Sequence, residues 1–203
     1  MSMSQKSNVQ RRATFDLRHS TKEFMNISVF GGSEPKEGDA AYVEAQELGR
    51  LLAQRGHTVF TGGYIGTMEA VSRGASEAGG HVIGVTCTEI ERWRAVGANS
   101  WVKEQRKKET LIERLQVLIV ECEAAIALPG GTGTLTEVAL MWNLMTVESL
   151  HRRPLILVGR GWRSTFDQFF QEFNSYITVR QRGLLLFAND VQTAVEMLES
   201  NVS

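Results

Sequence analysis

The sequence predicts an α/β fold: a single doubly wound parallel sheet with helices on both faces. Three observations predict it. From residue 26 onward, short β-branched or aromatic runs alternate with longer stretches of helical periodicity. Three glycine-rich turns, 31–33, 62–66 and 130–133, each follow directly on such a run. No internal repeat and no linker divides the chain, so residues 25–203 are expected to form one domain.

The elements are expected in the following order. NISVF (26–30) is the first strand by its β-branched and aromatic content. Helix 39–55 carries Ala41, Ala45, Leu48, Leu51 and Leu52 as an apolar stripe, and Gly56 stops it in the C′ position. HTVFT (57–61) is the second strand. The helix over 67–78 has Ala70, Gly74, Ala75 and Ala78 along one side, which allows close approach to a sheet. HVIGVT (81–86) is the third strand. Residues 87–106 show no regular pattern and hold Trp93, Arg94, Trp101 and Lys103, with Gly97 and Asn99 as breakers. A connection of that length in a compact domain points to function. Helix 107–122 leads into strand 124–128, and the helix after the third glycine turn runs over 134–150. Strand 154–158, helix 164–173, strand 184–187 and helix 191–199, with Asp190 as its N-cap, complete the chain. Residues 1–24 lack apolar periodicity and are expected to form a flexible arm, weakly basic through Arg11, Arg12, Arg18 and His19.

Composition narrows the function. A hydrophobic content of 42% with 22% charged residues is that of an ordinary globular chain, and a net charge of -1 offers nucleic acid and anionic membranes no attraction. No apolar run reaches the ~18 residues of a membrane span. Residues 1–22 are polar and hold no signal-peptide core, so a cytoplasmic protein with no membrane or nucleic-acid partner is expected. Cys87 and Cys122 sit in apolar segments and are expected as buried thiols. The histidines show no metal-ligand spacing and there is no G-x-S-x-G elbow, so neither a metal site nor a serine hydrolase is indicated.

The chemistry gathers on the third glycine turn. A strand, a glycine-rich turn and a helix in that order bring backbone N–H groups and a helix N-terminus to one point, which holds phosphate without needing a lysine. Pro129, Gly130, Gly131 and Gly133 form the turn, and the hydroxyls of Thr132 and Thr134 can add to it. The spacing fits neither a dinucleotide fingerprint nor a Walker loop. Gly31, Gly32 and Ser33 of the first turn, and Gly62 and Gly63 of the second, also lie at carboxyl ends of parallel strands. All three turns therefore share a rim, and Gly31 faces Gly131 if the first and fourth long strands are neighbours.

Three further residues carry two readings each. Thr134-x-x-Glu137 has the spacing of a capping box, and the same carboxylate in a first helical turn would reach a bound group. Arg114 lies among Leu111, Leu115, Leu118 and Ile119, where it either lays its stem on apolar neighbours with its head in water or serves the site. Tyr64 either stacks on a base or caps the sheet edge.

The run Pro129-Gly130-Gly131-Thr132-Gly133-Thr134-x-x-Glu137 resembles the P-G-G-x-G-T-x-x-E signature of the LOG (Lonely Guy) family, cytokinin riboside 5′-monophosphate phosphoribohydrolases often labelled lysine decarboxylase-like. The resemblance covers about residues 26–199 and includes VFGGS (29–33), FTGGYIGTM (60–68) and HVIGV (81–85). It implies a Rossmann-like fold and a nucleoside 5′-monophosphate, AMP or N6-modified AMP, hydrolysed to free base and ribose 5-phosphate without a cofactor. It implies active-site roles for Glu137 and for Arg114, which stands fifteen residues before Pro129. It also implies a homodimer or higher homo-oligomer, for which helices 107–122 and 134–150, with Met141 and Trp142, are the candidate contact. The chain departs from the family's common residues at Thr61, Tyr64, Glu69, Leu115, Thr132 and Thr136. The alternative is a non-catalytic nucleotide or molybdenum-cofactor carrier or sensor on the same fold.

Overall fold

Alternation along the first strand sets up two layers. In β1 (Asn26–Phe30), Ile27 and Val29 join one apolar cluster while Phe30 joins the other, as the two-residue period of a strand requires. The computed structural model describes residues 24–201, so the arm read over 1–24 lies, apart from Phe24, outside the described residues. The remaining elements are α1 (Ala40–Gln54), β2 (Thr58–Thr61), α2 (Thr67–Glu77), β3 (Val82–Cys87), α3 (Thr88–Trp93), β4 (Glu104–Lys108), α4 (Leu111–Val120), β5 (Ala124–Ala127), α5 (Thr132–Thr146), β6 (Leu155–Val158), α6 (Arg160–Glu172), α7 (Val179–Arg182), β7 (Leu186–Ala188) and α8 (Val191–Asn201).

The seven strands form one parallel sheet in the order β4-β3-β2-β1-β5-β6-β7. Strand order reverses between β1 and β5, where Ile27 pairs with Ala124 and Phe30 with Ala127. Ligands of doubly wound sheets bind at such a point. Helices α1, α2 and α8 cover one face, and α4, α5 and α6 cover the other. Strands β5 (AAIA) and β6 (LILV) are buried throughout, which explains why they read as unbroken apolar runs. The Asp190 cap holds: Thr193 N–H donates to Asp190 Oδ1 at 2.8 Å.

Three expectations are corrected. The stretch read as irregular, 87–106, contains α3 and most of β4, an edge strand of sequence EQRKK with only alternate residues partly covered. Edge strands carry charge to discourage further pairing, so β4 lacks the apolar signature of the others. Its charges are locally engaged: Arg106 Nε bonds Glu104 at 2.6 Å, and Lys107 pairs with Glu91 of α3. Helix α4 accordingly starts at Leu111 rather than 107, behind a capping box formed by Thr110 and Glu113. Finally, Met141 and Trp142 are not free to anchor a second chain. Met141 is fully buried, and Trp142 packs edge-on against Phe166 and Phe170 while its Nε1–H donates to Gln181 O at 2.8 Å.

Cys87 and Cys122 are buried free thiols, as expected. Among the described residues no helix is long and apolar enough to cross a membrane.

Candidate active site

The three glycine turns are bonded into one rim. Gly32 N–H donates to Pro129 O at 3.3 Å, which joins the first turn to the third across the β1–β5 switch point. Thr67, the first residue of α2, donates its N–H (2.9 Å) and its hydroxyl (3.0 Å) to Gly32 O, which joins the second turn to the first. Between them Gly66 takes φ of 78°, and a Cβ there would fall 2.5 Å from Gly32 O, so a side chain is excluded on both counts. Gly31, Gly32 and Ser33 are half-buried, Gly62 and Gly63 are buried, and Pro129, Gly130, Gly131, Thr132 and Gly133 are exposed. Thr134 turns inward and is buried against Gly130. Helix α5 opens on Gly131 without a side-chain cap, so its first amides are left to an outside acceptor. A cavity of about 370 Å³ lies beside the rim, bordered by Ser33, Gly66, Ile65, Glu69 and Arg94.

Behind the rim stand the two candidate catalytic residues. Arg114 belongs to the first turn of α4, and Glu137 is the sixth residue of α5. The capping-box reading of Glu137 fails because the helix starts at Thr132, with Gly131 rather than Thr134 at the N-cap. Glu137 therefore faces inward from the second turn. The solvated reading of Arg114 fails as well: its exposure is 5%, against 7% for Glu137. Arg114 Nη1 lies 3.6 Å from Glu137 Oε1, within ion-pair range but beyond a hydrogen bond. Its Nε–H donates to Val85 O at 2.7 Å. The guanidinium also lies against the bare α-carbon of Gly62, where a Cβ would come within 2.1 Å of Nη2. A buried arginine needs such partners, and they come from β3, α5 and the second glycine turn instead of its own helix. Burial pushes the Glu137 carboxyl up to about 7, and the charge of Arg114 offsets only part of that rise.

Tyr64 resolves to the sheet-edge reading. It is 3% exposed, its hydroxyl donates to Cys87 O at 3.2 Å, and Cys87 N–H donates back to that hydroxyl at 2.7 Å. Its ring centre lies 5.7 Å from Arg114 Cζ. Asn99 was legible only as a loop breaker, yet its side-chain amide bonds Gly63 O at 3.1 Å and Tyr64 O at 2.9 Å. An asparagine in an irregular stretch hints at such bonding, but its partner carbonyls, 35 and 36 residues away, leave no mark in the sequence. Among the described residues no group of three or more His, Cys, Asp or Glu side chains could hold a metal ion.

The model described as the SLOG cluster4 family matches residues 24–158. The chain is 31% identical over 185 residues to the probable cytokinin riboside 5′-monophosphate phosphoribohydrolase LOGL9 of Oryza sativa subsp. japonica, covering 88% of this chain and 79% of that protein. It is 35% identical over 158 residues to the cytokinin riboside 5′-monophosphate phosphoribohydrolase LOG of the same plant, covering 76% and 60%. With LOGL5, also from that plant, it shares 34% identity over 139 residues, and the chain spans about half of that relative's length (54%). Among solved structures, a molybdenum cofactor binding protein from Rippkaea orientalis superposes with a TM-score of 0.70 at 23% identity, covering 89% of this chain and 99% of that one. The molybdenum cofactor carrier protein of Chlamydomonas reinhardtii gives 0.66 at 25% identity, with the same coverage. The structural likeness fixes the parallel Rossmann-like fold, while the sequence matches carry the lineage. The chain belongs to the LOG family, in the group described as the SLOG cluster4 family.

Proposed function

We propose that the protein hydrolyses the N-glycosidic bond of a nucleoside 5′-monophosphate, AMP or N6-modified AMP, to free base and ribose 5-phosphate. The observation that carries this reading is the buried Arg114–Glu137 pair set directly behind a rim of three glycine turns, in a LOG-family chain. Relatives of that family bear the name phosphoribohydrolase.

In this reading the 5′-phosphate sits on Gly130, Gly131, Thr132, Gly133 and Thr134, against the first amides of α5. Gly31, Gly32 and Ser33 close the opposite wall, and Gly62 and Gly63 bound the third side. Breaking the bond between C1′ and the base nitrogen develops positive charge on the ribose, as in glycoside hydrolysis. The Glu137 carboxylate stabilises that charge and takes a proton from the water whose oxygen bonds C1′; the bonding pair of the broken C1′–N bond stays on the base nitrogen, which takes up a proton from solvent, and Glu137 returns its own proton to solvent. A carboxyl held near pH 7 is matched to that work. Arg114, whose Nε is fixed on Val85, has its remaining donors for Glu137 and for a substrate oxygen.

Release of base from AMP and from N6-substituted AMP is the direct test. Release by wild type and its loss in Glu137→Ala are expected; no release, or undiminished release by the variant, defeats the proposal. The likeness to the carrier from Chlamydomonas reinhardtii favours a second reading, binding of a nucleotide or molybdenum cofactor without turnover. That reading requires tight binding by calorimetry with no product and no dependence on Arg114.

A further inference from the structure

Arg114 is held by an apparatus that the hydrolytic chemistry does not itself call for. The carboxyl end of β3 supplies two anchors: Val85 O takes the Nε–H of Arg114, and Cys87 bonds the hydroxyl of Tyr64 through both its N–H and its carbonyl. Asn99 fixes the turn that carries Tyr64. Its side-chain amide reaches the carbonyls of Gly63 and Tyr64, its backbone N–H donates to Gly63 O at 2.8 Å, and its Oδ1 accepts from Trp101 N–H at 3.1 Å. The Tyr64 ring thereby stands in one place, 5.7 Å from Arg114 Cζ, on a guanidinium already pressed against Gly62. The ring is 3% exposed, and the charged catalytic candidate it lies against is Arg114.

We propose that Tyr64 is a positioning residue: clamped by Cys87 and Asn99, its ring keeps the Arg114 guanidinium at ion-pair rather than hydrogen-bond distance from Glu137. Its consequence for turnover rests on the function proposed above; its consequence for the pair does not. Without the ring, the guanidinium pivots about its bond to Val85 and closes on Glu137, or water enters the space. Both changes favour the charged carboxylate. The charged group acting on Glu137 is Arg114; Arg114 and Glu91 act on Tyr64, whose hydroxyl is bonded to the backbone of Cys87.

The test reads Glu137 directly, by carbon NMR of protein labelled at the glutamate carboxyls, with the resonance assigned by its loss in Glu137→Gln. In Tyr64→Ser, shown to be folded by its thermal transition, the Glu137 midpoint is expected to fall by about one pH unit. Asn99→Ala moves it the same way by less, and Tyr64→Phe, which keeps the ring, stays close to wild type. With AMP as substrate, Tyr64→Ser lowers kcat about tenfold with little change in KM, and Tyr64→Phe restores most of it. An unchanged midpoint in folded Tyr64→Ser overturns the proposal, as does an unchanged midpoint in Asn99→Ala where Tyr64→Ser does not fold. A Tyr64→Phe midpoint shifted as far as that of Tyr64→Ser removes the role of the ring and overturns it too. A shift without base release by wild type defeats the hydrolase reading and leaves this one standing; release without a shift does the reverse.

Discussion

Arg114 and Glu137 reach toward each other from different helices and stop 3.6 Å apart, with side chains only 6% and 9% exposed. A pair built for stability would close to a bidentate bond, because a buried charge is costly unless its hydrogen bonds are satisfied. Here the arginine spends its Nε on Val85, and among the described residues the carboxyl has only the charge attraction of Arg114. Burial wins, and Glu137 is poised near neutrality rather than locked as a salt bridge.

That poise has a sign in stability. The Glu137 carboxyl is raised from 4.5 to about 7 on folding, so the protonated folded state is favoured below 4.5. The stability this confers is lost as pH rises toward 7, by roughly 3 kcal/mol at most from a shift of that size. Urea unfolding at pH 5 and pH 8 is the measurement. Wild type is expected to lose stability relative to Glu137→Gln between the two, whatever the fixed cost of the substitution. A gap between the variants that stays constant with pH would mean that Glu137 titrates as an ordinary solvated acid.

The same group should govern turnover. With AMP, kcat/KM is expected to rise with pH through about 7, as the free protein's Glu137 ionises, and then to level off. Arg114→Ala removes the charge that holds the carboxyl down, so the rise moves to higher pH while the maximum falls by about a hundredfold or more. Arg114→Lys recovers little, since an ammonium cannot donate to Val85 and face Glu137 in one plane. A rise at the same pH in Arg114→Ala would separate Arg114 from the titrating group.

Much of this was legible in the sequence, and the reasons differ by element. The switch point was legible because glycine turns mark the carboxyl ends of parallel strands, and β1 and β5 are indeed neighbours. Strand β4 was not, because EQRKK lies at an edge where charge replaces the apolar pattern. Glu137 carried two readings because a capping box and an inward second-turn carboxylate share the spacing T-x-x-E. Only the helix start at Thr132 separates them, and glycines blur that start. The burial of Arg114 depends on Gly62 and Val85, which meet it only through the sheet. The family resemblance pointed to the residue; its own helix offered only the lack of an acidic partner at Thr110, Leu111, Val117 and Leu118.

Gly62 offers a test that leaves both charged residues in place. In Gly62→Ala the new Cβ would meet Arg114 Nη2 at 2.1 Å and Met68 Sδ at 2.4 Å, and both are ends of flexible side chains that can move. The expected stability loss is therefore small, about 1 kcal/mol, at the low end for overpacking. Displacing the guanidinium should nonetheless cost base release far more than a loss of that size explains. Thermal unfolding and initial rates on one preparation decide it: full activity in Gly62→Ala would mean that the position of Arg114 is not critical.

We propose a homodimer through the two helices first expected, with other anchors, because Met141 and Trp142 are taken up within the chain. On the same two helices Ile112 is 71% exposed, Val120 48% and Leu135 44%, apolar side chains that the described residues leave uncovered. An obligate interface buries on the order of 2,000 Å² with an apolar centre, and residues of this kind supply such a centre. Light scattering of wild type should give twice the mass of one chain, and Ile112→Glu combined with Leu135→Glu should give a folded single chain. A wild-type monomer would end the proposal of a dimer. A double variant that remains dimeric would move the contact away from the outer faces of α4 and α5.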